Sequence, residues 1–296
     1  MWQPEPGWQP LGSGSSSSTV GVWLAGDRVV KRLAAPLPGD AELYSNPRHV
    51  GYWRRAADVA LSGVVEDTAG LRSPAALGVE EDDEGITLWL PQVPEAPPTG
   101  LFVARSLGEL AGHVLPDLPW LAHDQLRDRL RLVERRGGWP TLARTTVADV
   151  ADHLWNRRGR YLDLLDELPV VTQHGDPTPG NLHAHDERGV IALDWAQLGT
   201  GPVGGDVGYW SLSAREEFEP LADAYVAALR PGLATVEEVL LGARVTAVYT
   251  ALSRAEWALA RAAAGPGALA GKFRHPSVAP YLRSLQRQFP QIEALL

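Results

Sequence analysis

The chain has 296 residues, 45% apolar and 21% charged, with a formal charge of −9 and no cysteine. That length suits two lobes better than one core, and the absent cysteines exclude disulfides and thiolate metal sites and make the cytoplasm the default location. No apolar run approaches the roughly 20 residues of a membrane span, no basic stripe favours nucleic acid, and Met1-Trp2-Gln3-Pro4-Glu5 lacks the head and core of a signal peptide, so neither nucleic acid nor membrane is an expected partner.

In chain order, residues 1 to 12 read as an extended arm, with a first strand over Trp8–Leu11. The run Ser13, Gly14, Ser15, Ser16, Ser17 and Ser18 is either a linker or a turn that covers phosphates. Its setting favours the turn, because strands are predicted on its far side at Thr19–Leu24 and Arg28–Leu33, the second carrying Lys31. A helix is expected over Asn46–Leu61, with Asn46 as cap and Pro47 as first residue. Strands follow at Ala75–Val79 and Ile86–Leu90, joined by an acidic turn from Glu80 to Glu84. Pro91, Pro94, Pro97 and Pro98 mark a connector, and the chain divides there into residues 1–92 and 93–296.

Beyond the connector the periodicity is helical over Leu101–Leu115, Leu121–Arg135 and Val147–Leu168. A short strand, Val170–Thr172, feeds the segment His174-Gly175-Asp176-Pro177-Thr178-Pro179-Gly180-Asn181. Two strands, Leu182–His185 and Val190–Leu193, form a hairpin that returns at Asp194. Helices are predicted over Asp206–Ser213, Pro220–Leu229, Val236–Ala264 and Val278–Leu295. The fold class is α+β: a five-stranded lobe with one helix, then a mostly helical lobe carrying a polar hairpin.

Two scarcities direct attention to the chemistry. Only Lys31 and Lys272 stand against 25 arginines, and only Asn46, Asn156 and Asn181 are asparagines. A chain that otherwise uses arginine keeps lysine where a compact ammonium is needed. The prolines and Gly180 forbid a helix between Asp176 and Asn181, which therefore share one tight loop, and the hairpin brings Asp194 back beside Asn181. An amide oxygen next to carboxylates suits a hard divalent cation such as magnesium. His183 and His185 share a strand face with Asp186 close by, which admits a zinc site, though a solvent-facing hairpin accounts for them as well.

Asp176, four intervening residues and Asn181 repeat the spacing of a protein-kinase catalytic loop. With His174-Gly175 before them and Ile191-Ala192-Leu193-Asp194-Trp195 after, the chain resembles the aminoglycoside phosphotransferase family, whose fold is bilobal and protein-kinase-like with a five-stranded antiparallel N-lobe. The resemblance is specific over residues 173 to 208. It implies Asp176 as base or orienting carboxylate, Asn181 and Asp194 as magnesium ligands, and Lys31 on the α- and β-phosphates of ATP or GTP. It implies Ser13 to Ser18 over the phosphates, the backbone of Gln92 and Val93 at the nucleobase, and His174 and Asp206 as supports of the catalytic loop. The family's usual glutamate partner for the lysine is missing: Ala56 stands where it is expected, and Asp58 and Glu42 are badly placed to replace it.

The implied activity is phosphorylation of a hydroxyl on a small-molecule antibiotic or sugar-like acceptor, in resistance or self-protection. Glu216, Glu217, Glu219 and Glu256 lie where such enzymes build the acceptor pocket and would suit a polyamine, though solvated helix faces account for them as well; Trp195, Trp210 and Trp257 would instead stack on a nucleoside or sugar ring. A catalytically weak nucleotide-binding protein of the same fold and a metal-dependent hydrolase are the competing readings.

Overall fold

The computed structural model describes residues 2–12, 18–139, 146–263, 283, 284 and 286–295. Strands β1 (Gln9–Gly12), β2 (Thr19–Ala25) and β3 (Arg28–Ala34) run into a sheet whose far side is built later in the chain. β4 (Leu71–Arg72) leaves that sheet, and β5 (Gly78–Asp82) and β6 (Gly85–Pro91) complete it in the antiparallel order β1-β2-β3-β6-β5. Strand alternation gives the sheet two different faces. Val22, Lys31, Leu88 and Val79 are consecutive cross-strand partners on the inner face, and Trp23, Val30, Trp89 and Gly78 form the matching outer row. The arm covers that outer row: Trp2 stacks on Trp23 at 5.3 Å and Trp8 meets Trp89 edge-on at 5.5 Å.

Helix α1 (Arg55–Ser62) lies under the inner face, where Ala57 packs with Leu33, Ile86 and Leu88. The helix expected from Asn46 begins nine residues late. Asn46 Oδ1 instead accepts from the Arg48 N–H at 3.0 Å, a local turn that competes with helix. The carbonyls of Pro47, His49 and Val50 accept from the Arg55 guanidinium, at 2.8, 2.7 and 3.2 Å, which holds this stretch as a series of turns. The acidic run also differs from expectation. Glu80 to Asp82 lie on edge strand β5 and only Asp83 and Glu84 make the turn, because Arg54 and Arg32 capture the side chains of Glu81 and Asp82.

After the connector come α2 (Gly100–Ala111), capped by Thr99, and α3 (Gln125–Arg135). The helix expected over 147–168 is two, α4 (Thr146–Asn156) and α5 (Arg158–Asp166). Its break at Arg157 is held by Arg158, which donates to the Trp155 carbonyl at 2.8 Å and lies over that indole at 4.3 Å. β7 (Val170–Gln173) pairs antiparallel with β10 (Gly199–Pro202), and the hairpin of β8 (Leu182–Asp186) and β9 (Gly189–Ala192) takes β4 as a parallel third strand. Neither β4 nor β10 was expected from the sequence.

Helices α6 (Gly205–Trp210), α7 (Phe218–Ala228) and α8 (Val236–Ala263) close the fold. α8 is the spine of the larger core, burying Val239, Ala243, Val248, Leu252 and Ala255 along its length. Of the last expected helix, residues 278–282 and 285 lie outside the described residues; residues 283, 284, 286 and 287 are helical, and α9 (Phe289–Glu293) follows them. Among the described residues no helix is long and apolar enough to cross a membrane.

Candidate active site

The loop from His174 to Asn181 is built from its backbone outward. Gly175 has φ +84°, and a Cβ there would sit 2.4 Å from the Gln197 carbonyl, so only glycine fits. Asp206, at the start of α6, accepts the His174 N–H at 2.7 Å and the Gly175 N–H at 3.0 Å. Burial pushes the Asp206 carboxyl up from its ordinary value, against the opposing pull of His174 and of those two amides. His174 is fully buried against Trp195; its Nδ1 accepts the Asp176 N–H at 3.2 Å and its Nε2 donates to the Leu193 carbonyl at 3.0 Å. The imidazole thus ties the loop to the end of the hairpin.

Three donors converge on the Asp176 carboxylate. Tyr209 donates to Oδ1 at 2.5 Å, Arg254 to the same oxygen at 2.7 Å, and Asn181 Nδ2 to Oδ2 at 3.1 Å. Asn181 Nδ2 also donates to the Asp176 carbonyl at 2.9 Å, which leaves the amide oxygen outside both bonds. Asp194 follows the hairpin in the left-handed region, with φ +53°, an uncommon conformation for a residue with a side chain. Its Oδ1 accepts from Lys31 Nζ at 2.6 Å. Burial would raise the Asp194 carboxyl, but Lys31 outweighs it and holds the group below its ordinary value.

Two cavities meet at these groups. The first, of about 580 Å³, lies under the inner face of the sheet and is lined by Val22, Leu88, Leu90, Gln92, Val93 and Asn181 among others. The second, of about 250 Å³, opens on the other side and holds Asp176, Tyr52, Trp53, Arg129, Arg254 and Trp257. Lys31, Ala56 and Asp194 line both. At the connector, Val93 and Ala96 offer their carbonyls to His183 Nε2 at 3.1 Å and His185 Nδ1 at 2.8 Å. The two histidines therefore staple the connector to the hairpin, and no cluster of three or more metal-binding side chains exists among the described residues. The Asn181 amide oxygen and the Asp194 carboxylate are hard donors at the first cavity, a set that fits magnesium.

The expected site residues divide as follows. Asp176, Asn181, Asp194, Lys31, Gln92, Val93, His174 and Asp206 come together. Ser13, Gly14, Ser15, Ser16 and Ser17 lie outside the described residues, while Ser18 lines the second cavity. Of the expected acceptor contacts only Trp257 lines the second cavity. Trp195 packs on His174 beside the first, and Trp210 is buried with its indole N–H on the Gly100 carbonyl at 3.2 Å. Glu216 accepts the Gly100 N–H at 2.9 Å, completing the α2 N-terminus, and Glu256 is buried against Arg136. None of Glu216, Glu217, Glu219 and Glu256 therefore lines the second cavity. No α1 carboxylate reaches Lys31 either: Asp58 is bonded to Arg54 at 3.0 Å, and Asp194 takes the lysine instead.

Fold and site together define a small-molecule kinase of protein-kinase-like architecture. The model of the phosphotransferase enzyme family matches residues 7–239, and the chain belongs to that family. Among solved structures it is similar to choline kinase LicA from Streptococcus pneumoniae (10% identity, 97% of this chain and 93% of that one, TM-score 0.60). It is similar also to the GDP complex of aminoglycoside 2′-phosphotransferase-IIIa (11%, 98% and 93%, TM-score 0.59). A third is a choline/ethanolamine kinase family protein from Mesorhizobium loti (15%, 94% and 92%, TM-score 0.57). A search of curated proteins finds no match.

Proposed function

We propose that the protein transfers the γ-phosphate of ATP or GTP to a hydroxyl of a small molecule, with magnesium, in the cytoplasm. The observation that carries this reading is the junction of the two cavities at Lys31 and Asp194, with Asp176 just inside the second. The nucleotide belongs in the larger, apolar cavity. Pro91 and Pro94 have no N–H and the Gln92 N–H already reaches the Asp27 carbonyl at 3.4 Å, so the Val93 N–H and the Gln92 carbonyl remain for a nucleobase edge. Lys31 meets the phosphates. Asn181 and Asp194 would hold magnesium, which when bound neutralises charge on the phosphate oxygens. Asp176 orients the acceptor hydroxyl. The new bond joins that oxygen to the γ-phosphorus, the bond to the β-bridging oxygen breaks, and Asp176 takes the hydroxyl proton late in the transfer.

The neighbours' printed names cover an aminoglycoside and choline as acceptors. Modification of an antibiotic or of a sugar-like or nucleoside metabolite is the role we assign to this chain. The decisive assay incubates the protein with magnesium, ATP or GTP and a panel of hydroxylated compounds, and follows gain of one phosphate by mass. Asp176→Asn is expected to cut turnover about 1000-fold while nucleotide affinity changes less than about threefold. Turnover that survives the substitution removes Asp176 from the reaction.

A further inference from the structure

The second cavity has a charge that the family resemblance does not lead one to expect. Apart from Lys31 and Asp194, which pair with each other, its charged side chains are Arg129, Arg136, Arg254 and Asp176. Arg254 pairs with Asp176 at 2.7 Å. Arg136 is held by Glu256, both of whose oxygens take its Nε at 3.1 Å. Arg129 donates to the Gly175 carbonyl and to the Gln197 side chain, both neutral, and stacks 5.1 Å from the Tyr209 ring centroid. Among the cavity's guanidiniums and the carboxylates bonded to them, three positive groups thus face two negative ones; the buried Asp206 acts on Arg129 from outside the cavity lining.

The remaining walls include the aromatic side chains of Tyr44, Tyr52, Trp53 and Trp257.

Taking the phosphotransfer reading above as given, we infer that the acceptor is a ring compound that carries a carboxylate or phosphate beside its hydroxyl, and that polycationic acceptors are excluded. A guanidinium binds either anion through two parallel hydrogen bonds, while a cation in the same space meets like charge in a site partly removed from water. Tyr44, Tyr52, Trp53 and Trp257 offer the ring its stacking surface. The anion also has a mechanical consequence. Arg254 now holds the same Asp176 oxygen that Tyr209 holds. An anionic acceptor competes with Asp176 for the Arg254 guanidinium and loosens its grip on Asp176 as the hydroxyl arrives.

The test uses matched compounds that differ in charge: glucuronate, glucose and glucosamine, and uridine 5′-monophosphate, uridine and 5′-amino-5′-deoxyuridine. Binding to the magnesium–nucleotide complex is read by calorimetry and phosphorylation by mass. The anionic member of at least one set is expected to bind about tenfold more tightly than its cationic counterpart. Arg254→Gln and Arg136→Gln should each reduce that preference, with the change in acceptor KM rather than in nucleotide KM. Preference for the cationic members, or no discrimination in either set, overturns the inference, and absence of binding by all six compounds does the same. Hydrolysis of the nucleotide without acceptor is measured in parallel. If it and nucleotide binding are both missing, the phosphotransfer reading itself fails, which separates that outcome from an error about acceptor charge.

Discussion

Asp176 is set by its neighbours as much as by its own loop. Tyr209 donates to Oδ1 at 2.5 Å while Asn181 fixes Oδ2 at 3.1 Å, so the carboxylate plane has little freedom. Burial, and then the charge of Asp176, push ionisation of the Tyr209 hydroxyl upward, so it serves as a donor at any working pH. A hydrogen bond to a charged group contributes about 1.5–3 kcal/mol, and Tyr209→Phe should lower kcat about 10- to 100-fold through loss of orientation. Nucleotide KM should not move. A kcat equal to wild type would show that Asn181 and Arg254 orient the group without Tyr209. Asp176, Asn181 and Asp194 were legible in the sequence because a loop and one short hairpin hold all three. Tyr209 was not, although a signal existed: it lies three residues after Asp206, one helical turn along, and so faces the same loop. Arg254 was hidden differently. Its surroundings on α8 are Ala-rich and read as core, and an arginine between such apolar neighbours is the clue that one face of the helix lines a cavity.

At the scale of elements, Arg55 decides how the segment before α1 is used. Besides Pro47, His49 and Val50, its guanidinium reaches the Trp120 carbonyl at 2.6 Å and the Ala196 carbonyl at 2.9 Å. One fully buried side chain therefore joins the loop 46–50, the approach to α3 and the turn after Asp194. Burial pushes its pKa down to about 10, which leaves it charged at neutral pH. Arg55→Met should cost about 3–5 kcal/mol, because five carbonyls lose their donor, and should lower activity through displacement of Ala196 and Asp194. Arg55→Lys keeps the charge and loses the fork, and should recover only part of the stability. Chemical denaturation of the three proteins checks the order. A full recovery by lysine would mean that charge, not geometry, matters. Sequence periodicity could not foresee this loop. It reports which residues share an apolar face, and the start of α1 is set by a polar side chain that gathers carbonyls from three separate segments. The break between α4 and α5 has the same origin, since the apolar spacing continues through Arg157 while Arg158 turns back to the Trp155 carbonyl.

For the whole molecule, the element order and the kinase-like architecture were readable because a run of alternating strands, a proline-rich connector and a run of helices each carry their own period. The cross-links between these parts were not. β4 joins the hairpin sheet, Lys31 of β3 reaches Asp194, and His183 and His185 hold the connector, all through pairings far apart in sequence. A chain with 25 arginines uses many of them in this way, which ties its stability to the carboxylates opposite them. Arg32 is the clearest case. It is 1% exposed, meets Asp82 through two bonds of 2.9 and 2.7 Å, and lies under Trp2 of the arm. The Arg32 hydrogen bond, aided by the Glu84 and Gly85 amides, pulls the Asp82 carboxyl from 3.8 down to about 2. A carboxylate with a depressed native pKa stabilises the fold above its unfolded value and loses that contribution as pH falls through the native one. The difference in Tm between wild type and Asp82→Asn should thus be constant from pH 7 to about pH 5, then close between about pH 4 and pH 2. Other acids titrate in that range, but they titrate in both proteins and leave the difference unaffected. A Tm difference that stays constant down to pH 2 would mean that asparagine costs stability through lost packing alone and that the charge on Asp82 does not hold the arm and the sheet edge together.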